Sequence, residues 1–171
     1  MRGIDIDEAI DTSFLERYEV DIEYGGKMGT ITIDDRELCK LSNYGAEGDM
    51  MDFLPTLSFL SGIILYYERL ISSLKTDEQD DTLEEYVRFK AMPVYKLLDR
   101  TGLANSKAQD IPTDRLIESL ISCLKPIKTL RRSIVAMQHK LNRLRASYSM
   151  VERAWETARS INANERSQMR G

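Results

Sequence analysis

The sequence predicts a mostly α fold: an elongated helical coiled coil or bundle in which two long heptad-patterned helices accompany a small N-terminal β-hairpin. Three stretches predict it. From Leu116 to Ala158, apolar residues recur at alternating steps of four and three. From Met50 to Leu74 the same spacing returns. Between Arg17 and Ile33, apolar and polar residues alternate around a Gly-Gly pair.

The C-terminal run places Leu120, Ile127, Ile134, Leu141, Tyr148 and Trp155 at heptad position a. Cys123, Leu130, Met137, Leu144, Val151 and Ala158 take d, after Leu116. A repeat of about 3.5 residues stays on one face only if the helix supercoils against a partner helix. At about 1.5 Å per residue, a continuous helix over this run would reach roughly 65 Å. The expected packing seam is Leu120, Ile127, Leu130, Ile134, Met137, Leu141, Leu144, Tyr148, Val151 and Trp155. The helix is expected over 113–162, with Thr113 as its cap and Asp114 and Glu118 at its positive end. Pro126 removes the amide that would bond to Ser122 and predicts a kink. Residues 163–171 lack an apolar pattern and are expected to fray.

In the N-terminal segment, 1–49, Ile4, Ile6, Ile10 and Phe14 suit a strand or a short helix equally. Tyr18, Val20, Ile22 and Tyr24 then alternate with charged residues, the pattern of a half-buried strand. Gly25-Gly26 supplies a tight turn. On the return strand Ile31 and Ile33 take one face and Met28, Thr30 and Thr32 the other, giving a hairpin over about 17–33. Asp34 to Leu41 reads as a short helix or turn, followed by a loop around Asn43-Tyr-Gly.

The region 50–100 is helical in expectation. Asp49 or Asp52 would cap the first helix, Pro55 would fall in its first turn, and Lys75 would end it. Leu54, Phe59, Ile63, Leu65 and Leu70 would widen its buried face. The acidic Thr76–Asp81 stretch reads as a solvated break before a shorter helix, Leu83 to Ala91, which Pro93 ends. Val94 to Leu98 could add a turn, and 101–112 reads as a polar linker.

Composition narrows the function. Charged residues make up 30% of the chain, with four prolines and nine glycines, which argues for a helix-rich fold and against a disordered or fibrous one. No apolar run of spanning length occurs, so no membrane contact is expected. Cys39 and Cys123 have no metal spacing and read as reduced thiols of a cytoplasmic protein, Cys123 as a small d-position hydrophobe. His139, the only histidine, falls at f, away from the seam. The Asp77–Asp81 run lacks the glycine and terminal glutamate of an EF-hand loop. With no metal cluster, cofactor loop or nucleophile–base pairing in the sequence, the chain reads as non-enzymatic, with no cofactor and no metal.

The net charge of −4 hides a division. From Lys107 to Gly171 there are 13 Lys and Arg against 6 Asp and Glu, a balance of +7. Before Lys107 there are 11 against 22, a balance of −11. From Lys125 to Arg145 the charges are Lys125, Lys128, Arg131, Arg132, Lys140, Arg143 and Arg145, all off the seam, with no acid among them. Such a face suits a phosphate backbone, held by sequence-independent electrostatics. It equally suits glutamates of a partner helix, which the acidic half could supply. Two readings follow. One is an oligomeric accessory protein that binds single-stranded nucleic acid with its basic face and a partner protein with its acidic N-terminal half. The other is a coiled-coil adaptor, inhibitor or virion structural protein working through protein contacts alone. A homo-oligomer is expected from the first; in the second the basic face pairs with the acidic half within one chain or between subunits.

In layout the chain resembles the small recombination mediators of tailed phages, the UvsY type. The resemblance rests on Ile33-Asp34 through Leu38, on Tyr66-Tyr67-Glu68-Arg69 within a helix, and on a linker before a long helix opened by Asp114. Arg153 and Trp155 near the end of that helix complete it. It covers residues 33–158. The hairpin lies outside that pattern, and the polar stretch before the long helix is less basic than the pattern suggests. The resemblance implies a homo-oligomer that binds single-stranded DNA and loads a recombinase onto strands coated by single-stranded-DNA-binding protein.

Overall fold

A computed structural model describes residues 16–39, 46–92 and 113–169 of the chain. The fold is mostly α, a helical bundle with a two-stranded antiparallel hairpin. In chain order the elements are β1 (Arg17–Tyr24), β2 (Lys27–Asp34), α1 (Asp35–Leu38), α2 (Ala46–Lys90), α3 (Asp114–Cys123) and α4 (Lys125–Gln168). The chain divides into two compact units. Unit 1 joins 1–67 with 140–171, and unit 2 is 68–139. The expectations for Ile4 to Phe14, for the loop around Asn43, for Pro93 to Leu98 and for the 101–112 linker lie outside the described residues.

In unit 1 the hairpin follows its sequence pattern closely. Gly25 and Gly26 have φ of +59° and +75°, the left-handed pair that a two-residue hairpin turn requires. Tyr24 pairs with Lys27, Ile22 with Gly29, Val20 with Ile31 and Tyr18 with Ile33. This register puts Tyr18, Val20 and Ile33 on one buried face. Asp34 caps α1 by accepting the amides of Arg36 (3.1 Å) and Glu37 (3.4 Å). The long helices of this unit bury Phe53, Leu60, Ile63 and Tyr67 of α2 and Leu141, Leu144, Ser147, Val151, Ala158 and Asn162 of α4, and the hairpin meets them at Tyr67 and Ser147.

Unit 2 has its own core. Phe89 of α2, Ile117 and Ile121 of α3 and Ile127 of α4 cluster, with Tyr86, Met92, Leu120 and Leu124 packed against them. Lys90 and Tyr86 of α2 both donate to Asp114 Oδ1 at the start of α3.

Several expectations are corrected. The helix over 113–162 is two helices, broken at Leu124, whose ψ of 134° is extended. Leu124 N–H closes α3 on the Ile121 carbonyl (3.0 Å), and its own carbonyl accepts Lys128 N–H (3.0 Å) to open α4. Pro126 therefore sits in a first turn, where its missing amide has no intrahelical partner to lose, and the chain breaks rather than kinks. The break shifts the buried face of α3 onto Ile117 and Ile121, leaving Cys123 exposed and not a seam residue. Within α4 the seam is buried at Ile127, Leu141, Leu144 and Val151, and half-buried at Leu130, Ile134, Met137, Tyr148 and Trp155.

Helix α2 starts at Ala46, so neither Asp49 nor Asp52 caps it and Pro55 lies inside it. It then runs through Thr76–Asp81 without a break. That stretch is acidic but contains no glycine or proline, and charge alone does not stop a helix whose side chains face water. Leu54, Phe59 and Leu65, expected to be buried, are about half exposed (50, 47 and 49%). The apolar stripe of α2 is thus the narrow one of Phe53, Leu60, Ile63, Tyr67 and Ile71. The tail is helical to Gln168, with Asn162 buried, so fraying does not begin at residue 163.

Candidate nucleic-acid interface

The seven basic residues singled out in the sequence all lie on α4, but they are not equivalent. Arg131 Nε donates to Glu78 Oε1 at 2.6 Å within unit 2. In unit 1, Lys140 Nζ donates to Asp21 Oδ2 at 2.8 Å, and Arg143 Nη2 meets Glu16 Oε2 at 2.8 Å. The Arg143 guanidinium also lies over the Tyr18 ring, 5.6 Å from its centroid. Arg145 is likewise engaged. Heptad geometry explains part of the pattern. Arg131 at e and Lys140 at g flank the packed face of the helix and reach carboxylates of the elements packed on it. Arg143 meets Glu16 from c, an outer position.

Lys125, Lys128 and Arg132 occupy the outer positions f, b and f. All three are exposed, and among the described residues none meets a carboxylate. Their spacing, i, i+3 and i+7, sets them on one stripe of α4 within unit 2. His139 continues that stripe one heptad later, also exposed.

The ion pairs leave their mark on protonation. The hydrogen bond from Lys140 holds the Asp21 carboxyl below the usual carboxylate range. The same bond raises the Lys140 ammonium above its ordinary value. All of the pairs are substantially exposed, so each contributes little energy and serves mainly to neutralise charge.

The aromatic residues near this helix are structural. Trp155 is half-buried with its indole N–H enclosed and unpartnered, and Arg159 stacks over its ring at 5.7 Å. Tyr148 is half-buried on the same face, so neither offers a free ring to a base. Unit 2 also carries an open groove of about 430 Å³. Thr82, Leu83, Tyr86, Glu118, Ile121 and Arg131 line it, and the Thr82 hydroxyl is buried without a partner. No grouping of metal-ligating side chains occurs among the described residues. No helix among them is long and apolar enough to cross a membrane.

Two features escaped sequence reasoning. The carboxylates that engage the basic residues lie 53 positions away for Arg131 and 119 for Lys140, and no local pattern marks them. Tyr67 sits on the apolar stripe of its helix like any core residue. Its hydroxyl nevertheless donates to the Asp21 carbonyl (2.9 Å) and accepts the Asp21 amide (3.2 Å).

Compared with known proteins, the chain matches no family, no curated protein and no solved structure.

Proposed function

We propose that this is a non-enzymatic accessory protein that holds single-stranded nucleic acid electrostatically along the outer stripe of α4. The observation that supports it is the separation of charges on that helix. Arg131, Lys140 and Arg143 meet carboxylates within the chain, while Lys125, Lys128 and Arg132 are exposed together and meet none among the described residues. Three contacts on one chain bind weakly. A homo-oligomer that repeats the stripe would multiply them through avidity. The acidic half of the chain repels nucleic acid and suits a basic partner protein. A recombination mediator acting in the cytoplasm is the specific form of this reading, motivated by layout alone. Against that layout, Asp114 opens the ten-residue α3 rather than the long helix.

A salt titration of single-stranded DNA binding tests the proposal. For single strands, log K falls with log salt at about −0.7 per phosphate contact. The three outer cations of each chain predict a slope near −2 per subunit engaged, whereas all seven would give about −5. Replacing Lys125, Lys128 and Arg132 together by glutamine should abolish binding, and Lys140→Gln should leave the slope unchanged.

The ion pairs of Arg131, Lys140 and Arg143 favour a second reading, in which the basic residues serve only to hold the fold and the protein is a helical adaptor. Absence of DNA binding at low salt would establish that reading over the first.

A further inference from the structure

The two edges of the hairpin are treated differently. A two-residue turn makes Tyr24 and Lys27 an exchanging pair, so Ile22–Gly29, Val20–Ile31 and Tyr18–Ile33 carry the ladder bonds. The residues between them point their amides and carbonyls away from the partner strand. On β1 that outer edge is closed at its centre, where the Tyr67 hydroxyl takes both the N–H and the C=O of Asp21. On β2 the outward groups belong to Met28, Thr30 and Thr32. Among the described residues nothing bonds to their amides or carbonyls, and all three side chains are exposed.

Natural edges are usually blunted by proline, a bulge, a central charge or a covering element. The Met28–Ile33 stretch has none of the first three: it is uncharged, unbulged, free of proline and rich in β-branched residues. Its charges stand only at its ends, Lys27 at one and Asp34 at the other.

We infer that the outer edge of β2 is a strand-pairing surface for a second copy of this chain, joining two hairpins into a four-stranded antiparallel sheet about a two-fold axis near Thr30. The strand is self-complementary in this sense only. Antiparallel pairing lays the Lys27 end of one copy along the Asp34 end of the other, whereas parallel pairing would bring like charges together. A two-fold axis perpendicular to the sheet keeps the buried faces of both hairpins on the same side. The three outward residues are centred on Thr30, so that residue meets its own counterpart and Met28 meets Thr32. This surface is separate from the basic stripe of α4 and does not depend on nucleic acid binding.

The experiment uses the full chain. Thr32→Pro removes one outward amide while leaving every ladder bond of the hairpin in place, since position 32 does not donate to β1. Sedimentation equilibrium should show a twofold loss of mass relative to the parent chain at equal concentration. Thr30→Lys, which sets two ammonium groups face to face across the axis, should show the same loss at low salt and regain mass at high salt. In the parent chain the amides of Thr30 and Thr32 should exchange more slowly with solvent as concentration rises. Unchanged mass in Thr30→Lys, or protection of those amides that is the same at every concentration, would overturn the inference.

Discussion

Tyr67→Phe isolates what one hydroxyl does for the docking of the hairpin. Tyr67 is 2% exposed, and its oxygen donates to one backbone group of Asp21 and accepts from the other. A typical intramolecular hydrogen bond contributes about 0.5–1.5 kcal/mol, so losing two predicts about 1–3 kcal/mol of destabilisation. The neighbouring Lys140–Asp21 pair is a control. Its side chains are 38 and 49% exposed, and a pair of that kind is worth less than about 1 kcal/mol. Urea unfolding reads both, and a shift in midpoint at constant slope is required. Asp21 amide exchange should quicken in the Phe variant. A loss below about 0.5 kcal/mol, or a larger loss from Lys140→Gln, would refute the assignment of the hairpin's anchor to this hydroxyl. A pH dependence follows as well. Burial pushes the Tyr67 phenol above its ordinary value, outweighing the lowering from Lys140 and from the Asp21 backbone bond. Across that window the folded chain holds a proton that the unfolded chain has released. Stability therefore falls as pH rises from about 10 through the raised folded value, and Tyr67→Phe removes this share of the fall. Tyr18, raised chiefly by its own burial, adds a fall of the same sign that the variant retains.

Three further expectations can be checked directly. Leu144→Ala, at a position with no exposed surface, should cost about 2–5 kcal/mol in the same unfolding assay. A maleimide should modify the exposed Cys123 well before Cys39, whose thiol is half-buried and pushed up to about 11 by burial and the Asp35 charge; mass spectrometry of the partly labelled chain reads the order. Gly25→Ala places a side chain at φ +59° and should lower stability by about 1–2 kcal/mol, seen as an earlier thermal midpoint, although no neighbour lies within 4 Å to clash with it.

The hairpin was legible because both of its signals are local: period-two alternation and a Gly-Gly pair. The helical character of 50–75, 83–90 and 114–162 was legible for the same reason, apart from the break at Leu124. The break at Leu124 was not. The heptad spacing runs across it without a slip, and counting residues cannot detect that the backbone turns there. Pro126 carried the only warning, and it pointed to a kink two residues downstream of the true break. The Thr76–Asp81 stretch misleads in the opposite sense, because its charge density resembles a helix stop while none of its residues is a breaker. At the candidate interface the basic face was legible as a run of cations. Which cations meet carboxylates was not, since Glu78, Asp21 and Glu16 reach Arg131, Lys140 and Arg143 only through tertiary packing.

The two units differ in how they draw on the chain, and this orders their assembly during synthesis. Unit 2 is one uninterrupted segment and can collapse once its own residues have left the ribosome. Unit 1 joins the hydroxyls of Tyr18 and Ser147 in a hydrogen bond, a meeting of residues 129 positions apart. Its hairpin must wait until residue 147 has been made, and closing so long a stretch of chain is the slow step expected of long-range contacts. A nascent chain halted before residue 140 would hold a finished unit 2 and an undocked hairpin.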